Sequence, residues 1–271
     1  CRVARWSRPT RCWCLAERQP QSSKSAPANT LAARLARLGL RRDIDFVLHL
    51  PLRYEDETRL TAIRDALPGV AAQFEVEVLS CEVAYRPRRQ LLVRVRDESS
   101  ESGALTLRFL NFYPSQQKVL QAGARLRVFG EVREGFLGEE IVHPRFQIVS
   151  AGEPLPERLT PVYPTTAGLG QATLRRLIDR ALARIDLHDT LPSAELARLG
   201  LPTFADAVRL LHQPPPEVSL DSLLSRDHPA WRRVQFDELL AQQLSLRRAY
   251  AARRQRGAPR LLAAGATRGY R

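Results

Sequence analysis

The chain has 271 residues, 44% of them hydrophobic, with four cysteines, 19 prolines and no methionine. That composition supports a buried core and excludes a disulfide framework, while no apolar run approaches the ~18 residues of a membrane span. The formal net charge of +13 sits at the two ends: six basic and one acidic residue from Cys1 to Lys24, and eight basic and no acidic residues from Leu239 to Arg271, leave the segment between them neutral. Overall basicity therefore cannot identify a folded nucleic-acid surface, and only a local patch can.

Residues 1–29 are rich in Arg, Ser, Pro and Gln without periodicity, and are expected to form a disordered basic tail. The opening Cys1 and the lack of methionine lead to the expectation of a fragment. The basic opening has no apolar stretch of the kind a secretory signal needs. Cys12 and Cys14, one residue apart with no second pair, lack zinc-site spacing, so no metal ligand is assigned.

A helical segment is predicted over 30–69. Leu31, Leu35 and Leu38 recur at helical spacing behind the N-cap candidate Thr30, and Gly39 ends the run. A second apolar stretch, Ile44 to Leu50, stops at Pro51.

From 70 to 150 the period becomes two. Phe74, Val76 and Val78 alternate with polar residues; the parity then slips, so that Cys81, Val83 and Tyr85 continue the inward row, as a β-bulge would produce. Leu91, Val93 and Val95 mark a second strand, and Leu105, Leu107 and Phe109 a third. Pro114 opens a short helix closed by Gly123. Leu126, Val128, Gly130 and Val132 line a fourth strand, and a fifth spans about Glu139 to Ile148, interrupted at His143-Pro144. Three strands, a short helix and two strands is the order of a five-stranded OB barrel; an SH3-like barrel lacks that helix. The predicted class is α+β, an OB-fold β-barrel flanked by N-terminal and C-terminal helical segments.

The region 151–256 reads as helical. Leu174, Leu177, Ile178, Ala181, Leu182 and Ile185 form one apolar stripe. LPTFADAVRLLHQPPP gives a short helix stopped by prolines, and a last helix over about Pro229 to Arg254 places Val234, Leu239, Leu240, Gln243, Leu244 and Leu246 near one face. Residues 257–271 are expected to be unstructured.

No phosphate-binding loop, dinucleotide fingerprint, nucleophile elbow or zinc-protease motif occurs, so no catalytic residue and no cofactor is assigned. The basic block YRPRRQLLVRVR is the local patch: Arg86, Arg88, Arg89, Arg94 and Arg96, with no acid among them. Arg94 and Arg96 alternate with Val93 and Val95 and so share the outer face of the second strand, with Arg108 on the equivalent face of the third. OB domains bind oligonucleotides on that face and with the loop before it, and guanidinium groups there pair with phosphates and stack on bases. The competing reading is a solvated sheet face balanced by Asp97, Glu98 and Glu101. In RFLNFYPSQQ, Phe109 shares the core parity, Phe112 shares the parity of Arg108, and Tyr113 lies at the strand-to-helix corner. Phe112 and Tyr113 are therefore candidate stacking rings, with a plug at the barrel end as the alternative for Phe112.

HLPLRYEDET (His49 to Thr58), LRFLNFYPSQ (Leu107 to Gln116), His143-Pro144, LTPVYPTTAG (Leu159 to Gly168), LHQPPP (Leu211 to Pro216) and HPAWRRVQFDELLAQQLSL (His228 to Leu246) resemble, in order, the N-terminal half of the RecG family of bacterial ATP-dependent DNA helicases. The resemblance covers about Leu31 to Pro259, and neither the opening through Ala28 nor the ending LLAAGATRGYR shares it. It implies a wedge domain over 70–150 that holds the branch point of a fork or Holliday junction for recombination and repair. The helical region 151–256 then leads toward a motor absent from this chain, which uses ATP and Mg2+. It also implies a monomer in the bacterial cytoplasm at the nucleoid, with branched DNA and the missing motor domains as partners. Family aromatics flank the branch point, and Phe112 and Tyr113 are the nearest matches. The chain alone is expected to bind DNA without hydrolysing ATP. The alternative function is an OB module that coats single strands without branch preference, or a protein-interaction module.

Overall fold

A computed structural model describes residues 30–86, 88–98, 105–135 and 138–256; the expectations for the tails 1–29 and 257–271 and for Glu101 lie outside the described residues. In chain order the elements are α1 (Leu31–Arg37), α2 (Asp43–Val47), β1 (Arg53–Glu55), a 3-10 turn (Ile63–Asp65), β2 (Ala71–Ala84), β3 (Gln90–Arg96), β4 (Leu105–Phe109), α3 (Pro114–Val119), β5 (Arg125–Gly135) and β6 (Gly138–Val142). There follow β7 (Arg145–Ile148), β8 (Thr160–Val162), α4 (Gln171–Arg184), α5 (Ser193–Leu199), α6 (Phe204–His212), α7 (Leu220–Leu224) and α8 (Pro229–Gln255).

Period-two alternation builds the barrel. Phe74, Val76, Val78, Leu91, Val93, Val95, Leu105, Leu107, Phe109, Leu126, Val128, Val132 and Ile141 are all buried in one cluster. Each such side chain contributes roughly 1.5 to 3 kcal/mol relative to solvent exposure. The slip read in β2 is a bulge: Val78 pairs with Val95 but Ser80 with Arg94, so Leu79 is the extra residue. The sheet runs β2–β3–β4–β6–β5 and closes through β2–β5 pairing; β4 and β6 are parallel, and the other pairs are antiparallel. This is a closed five-stranded mixed barrel with OB connectivity, and α3 lies between the third and fourth strands as the order predicted. Gly130 is required where β5 meets β6, since a Cβ there would lie 2.4 Å from Ile141 Cγ2.

The interruption expected in the fifth strand is present: His143, at φ 53, and Pro144 split it into β6 and β7. Both pieces pair antiparallel with β5, Val132 opposite Ile141 and Phe129 opposite Arg145, so the strand resumes along β5 with its register slipped by one residue. Proline cannot donate to a ladder, which is why the pairing breaks there.

The flanking segments pack on each other. Thr30 caps α1 through its hydroxyl, which accepts from Ala33 N at 3.3 Å. Leu40 and Val47 share one core with Tyr163, Leu174, Ile178 and Val208. Tyr54 shares another with Leu159, Leu211, Leu223 and Trp231. The strands β1 and β8 form a small antiparallel pair, Arg53 opposite Val162. Arg145 of β7 forms ion pairs with Glu55 and Glu57, tying the barrel to this helical unit. Arg233 of α8 is fully buried, and donates to Asp189, Asp237 and the Pro202 carbonyl.

Three expectations are corrected. In α8 the buried residues are Ala230, Trp231 and Arg233, and Val234 of the predicted face packs half-buried beside them, whereas Leu239, Leu244 and Leu246 are exposed and every residue from 241 to 256 faces solvent. Beyond Val234, periodicity gave a face that nothing among the described residues covers. Tyr85 lies one residue past the end of β2 and is exposed rather than inward, because strand parity stops with the strand. The short helices α5 and α7 and the strands β1 and β8 were not predicted.

Candidate nucleic-acid interface

The β2–β3 hairpin, the outer faces of β3 and β4, and the corner from β4 into α3 form one continuous region of the barrel surface. Registers place them: Ala84 pairs with Gln90 at the hairpin, and Leu91 pairs with Phe109 at the end of β4. The hairpin residues 85, 86, 88 and 89 and the corner residues 110–113 therefore emerge at the same end of the barrel.

The predicted arginines divide by environment. Arg86 and Arg88 on the hairpin and Arg94 on β3 are exposed, and none meets a carboxylate among the described residues. Arg94 lies opposite Ser80 on one side and Thr106 on the other, both uncharged. Arg96, at the far end of β3, pairs with Glu77 at 3.1 Å. It lines a cleft of about 850 Å3 together with Glu75, Glu77, Asp97, Glu98 and Arg125. Carboxylates outnumber guanidiniums there, so the cleft repels phosphate and the basic surface ends short of it. Asp97 is held on the fold, its carboxylate accepting from Ile63 N at 2.7 Å. Arg108 is half-buried, its Nη2 2.9 Å from Glu140 Oε2. Its partner arrives through the parallel β4–β6 pairing, in which Arg108 lies opposite Val142 and Thr106 opposite Glu140.

The rings also divide. Phe109 is buried in the barrel core, making edge contacts with His143 and Phe146. Phe112, read as lying on the outer sheet face, instead packs half-buried against the barrel core, and the Arg89 guanidinium carbon stands 4.7 Å from its ring centroid. The reason is that β4 ends at Phe109, so parity no longer sets its direction. A guanidinium over a ring at that distance is a cation–π contact, which holds both groups at the barrel end. Tyr113 precedes α3 and is 75% exposed, while its backbone N–H donates to Gln116 Oε1 at 2.9 Å. That bond fixes the corner, with Pro114 in the first turn of the helix.

This end of the barrel thus combines exposed guanidiniums without counter-charges, an exposed tyrosine and an arginine-capped phenylalanine. Guanidiniums of that kind pair with phosphates, and rings of that kind stack on unpaired bases. Alternation put Arg94 on the exposed face and the corner beside Pro114 left Tyr113 exposed, as read, while Tyr85 was read with the inward row and is exposed.

Residues 27–185 match the family described as RecG wedge domain. The ATP-dependent DNA helicase RecG of Escherichia coli (strain K12) is 43% identical over 233 residues, which is 84% of this chain and 33% of that protein. RecG of Pasteurella multocida (strain Pm70) is 40% identical over 234 residues, with the same coverage of 84% and 33%. A solved structure of RecG bound to a three-way DNA junction superposes with a TM-score of 0.58 at 23% identity, over 82% of this chain and 30% of that one. The chain spans about a third of the length of the curated relatives it matches.

Proposed function

The chain belongs to the RecG wedge-domain family, and from that premise we propose that it is the DNA-branch-binding part of an ATP-dependent helicase acting in recombination and repair. Arg86, Arg88 and Arg94 contact phosphates, and Tyr113 stacks on a base next to the branch point. Phe112, capped by Arg89, forms the firm barrel end against which the duplex splits. Arg96 and Arg108, each held by a carboxylate, shape the edge of the surface more than they add charge to it. The observation that carries the reading is the set of exposed guanidiniums that meet no carboxylate among the described residues, on the hairpin and sheet face that run to the barrel end bearing the exposed Tyr113.

Fork regression and Holliday junction branch migration belong, on this reading, to a longer protein whose motor uses ATP and Mg2+. This chain has no phosphate-binding loop and would not hydrolyse ATP. No helix of the described residues is long and apolar enough to cross a membrane. Electrophoretic mobility shifts of a synthetic fork and a linear duplex at one salt concentration test the proposal. Tighter binding of the fork is expected, and equal affinity for both would remove the wedge role in favour of an unspecific OB module.

A further inference from the structure

Tyr85 is a second exposed ring at the hairpin end of the barrel. The residue is 73% exposed, and no described residue hydrogen-bonds its hydroxyl. A single exposed aromatic is ordinary on a protein surface. Two at one end, among guanidiniums that lack counter-charges, make the composition of a base-stacking platform.

The registers fix where the strands leading to the two rings end. Tyr85 follows Ala84, the last residue of β2, and Tyr113 comes four residues after Phe109, the last of β4, with β3 between the two strands. Adjacent strands lie ~4.8 Å apart, so the ends of β2 and β4 are ~10 Å apart. Stacked planes lie ~3.4 Å apart, so a base sandwiched between two rings needs them about 7 Å apart, closer than these strand ends. Arg89, immediately before β3, stands over Phe112 in the interval. The two tyrosines therefore meet different nucleotides on either flank of that capped ring. Arg86 next to Tyr85, and Arg88 beyond it, supply charge for the phosphates of whatever strand passes the hairpin.

We propose that Tyr85 is a base-stacking residue for unpaired nucleotides of a DNA arm that passes the β2–β3 hairpin, separate from the nucleotide at Tyr113. The proposal rests on the branch-binding reading and adds to it a residue and a second strand contact.

The test uses forks carrying 2-aminopurine at the first unpaired position of one arm or of the other, because stacking on a ring quenches its fluorescence. With the chain as it stands, both arms are quenched. Tyr85→Ala is expected to restore fluorescence in one arm only, and to weaken fork binding about 5- to 150-fold, the range for one lost base–aromatic stack. Linear duplex binding and the melting temperature stay unchanged, and Tyr85→Trp retains the quench in both arms. Unchanged quenching and fork affinity in Tyr85→Ala, with the unsubstituted chain still preferring forks, would overturn this inference and leave the branch-binding reading standing. A fall in melting temperature for Tyr85→Ala would likewise overturn it, by making the ring part of the fold. If the unsubstituted chain shows no preference for forks, the branch-binding reading fails first and the role of Tyr85 falls with it.

Discussion

Arg108 and Glu140, two residues out of register on the parallel strands β4 and β6, are joined at 2.9 Å with both side chains largely withdrawn from water. An arginine held in this way has its charge answered before any DNA arrives. Removing it strands the carboxylate: Arg108→Ala leaves Glu140 buried without its cation, at a cost of about 1 to 3 kcal/mol. A lower urea midpoint is the expected result, with the salt dependence of DNA binding unaltered. A shallower salt dependence in that variant would instead make Arg108 a phosphate contact.

Arg94 should behave in the opposite way. It is exposed between Ser80 and Thr106 and meets no carboxylate among the described residues, so its substitution removes one phosphate contact and little stability. Each neutralised phosphate contributes about 0.9 to the slope of log K against log salt on B-form DNA. Arg94→Ala is therefore expected to flatten that slope by about one, for forks and linear duplex alike. Arg96→Ala should flatten it less, since Glu77 already answers Arg96. Titrations over a range of salt concentrations read both numbers, and equal effects would show that the Glu77 pair does not hold in solution.

The contrast between these arginines marks how far sequence reaches. Alternation assigned Arg94, Arg96 and Arg108 to one face, and the strands carry it out. Their partners come from pairing: Glu77 from a neighbouring strand, and Glu140 from a parallel strand beyond a helix and another strand. Period alone cannot say which strands become neighbours. The barrel was legible because its core is written locally, two residues at a time, and because Gly and Pro mark its corners. The pair β1–β8 was not, since three-residue strands carry too little pattern and their partners lie more than a hundred residues apart. Helices α5 and α7, of seven and five residues, are also short and gain their stability from contacts, Leu196 and Leu223 being the buried residue of each. In α8 the apolar spacing was read correctly while its burial was not, because a periodic face carries no information about what lies against it.

Phe112 joins fold and site, and two substitutions separate its roles. The ring packs against the barrel core beneath Arg89. Phe112→Ala should lower stability by about 1 to 3 kcal/mol, less than the 3 to 5 kcal/mol of a fully buried phenylalanine because the ring is only half-buried. Fork binding should fall as well. Phe112→Leu refills most of the volume without a π-face, so it is expected to restore the melting temperature while leaving fork affinity low. Recovery of both in Phe112→Leu would make the ring a plug and nothing more.

His212 gives the helical unit a pH dependence whose sign follows from its partners. Its Nδ1 lies 2.9 Å from the Tyr163 hydroxyl and its Nε2 2.8 Å from the Val47 carbonyl. The carbonyl can only accept, so the neutral ring donates from Nε2, and Nδ1 accepts from the tyrosine. Protonation at Nδ1 would destroy that second bond. Burial pushes the imidazole down from 6.5 to about 4, against the opposing effects of the Val47 carbonyl and Asp179. Because the folded value is the lower one, the unfolded chain takes up the proton first as pH falls. The stabilisation is therefore complete above pH 6.5 and lost progressively between 6.5 and about 4, by about 3 kcal/mol in all. His228, also lowered by burial, acts in the same direction. Below pH 4 the loss continues through Asp189, which its hydrogen bonds to Arg233 hold down at about 2. Urea unfolding at pH 7.5, 5.5 and 4.5 should show the decline. His212→Gln, already weaker at pH 7.5, should show a flatter profile over the same range. A decline just as steep in the variant would move the proton uptake to another group, and would mean that the Tyr163–His212–Val47 chain does not set the acid limit of the fold.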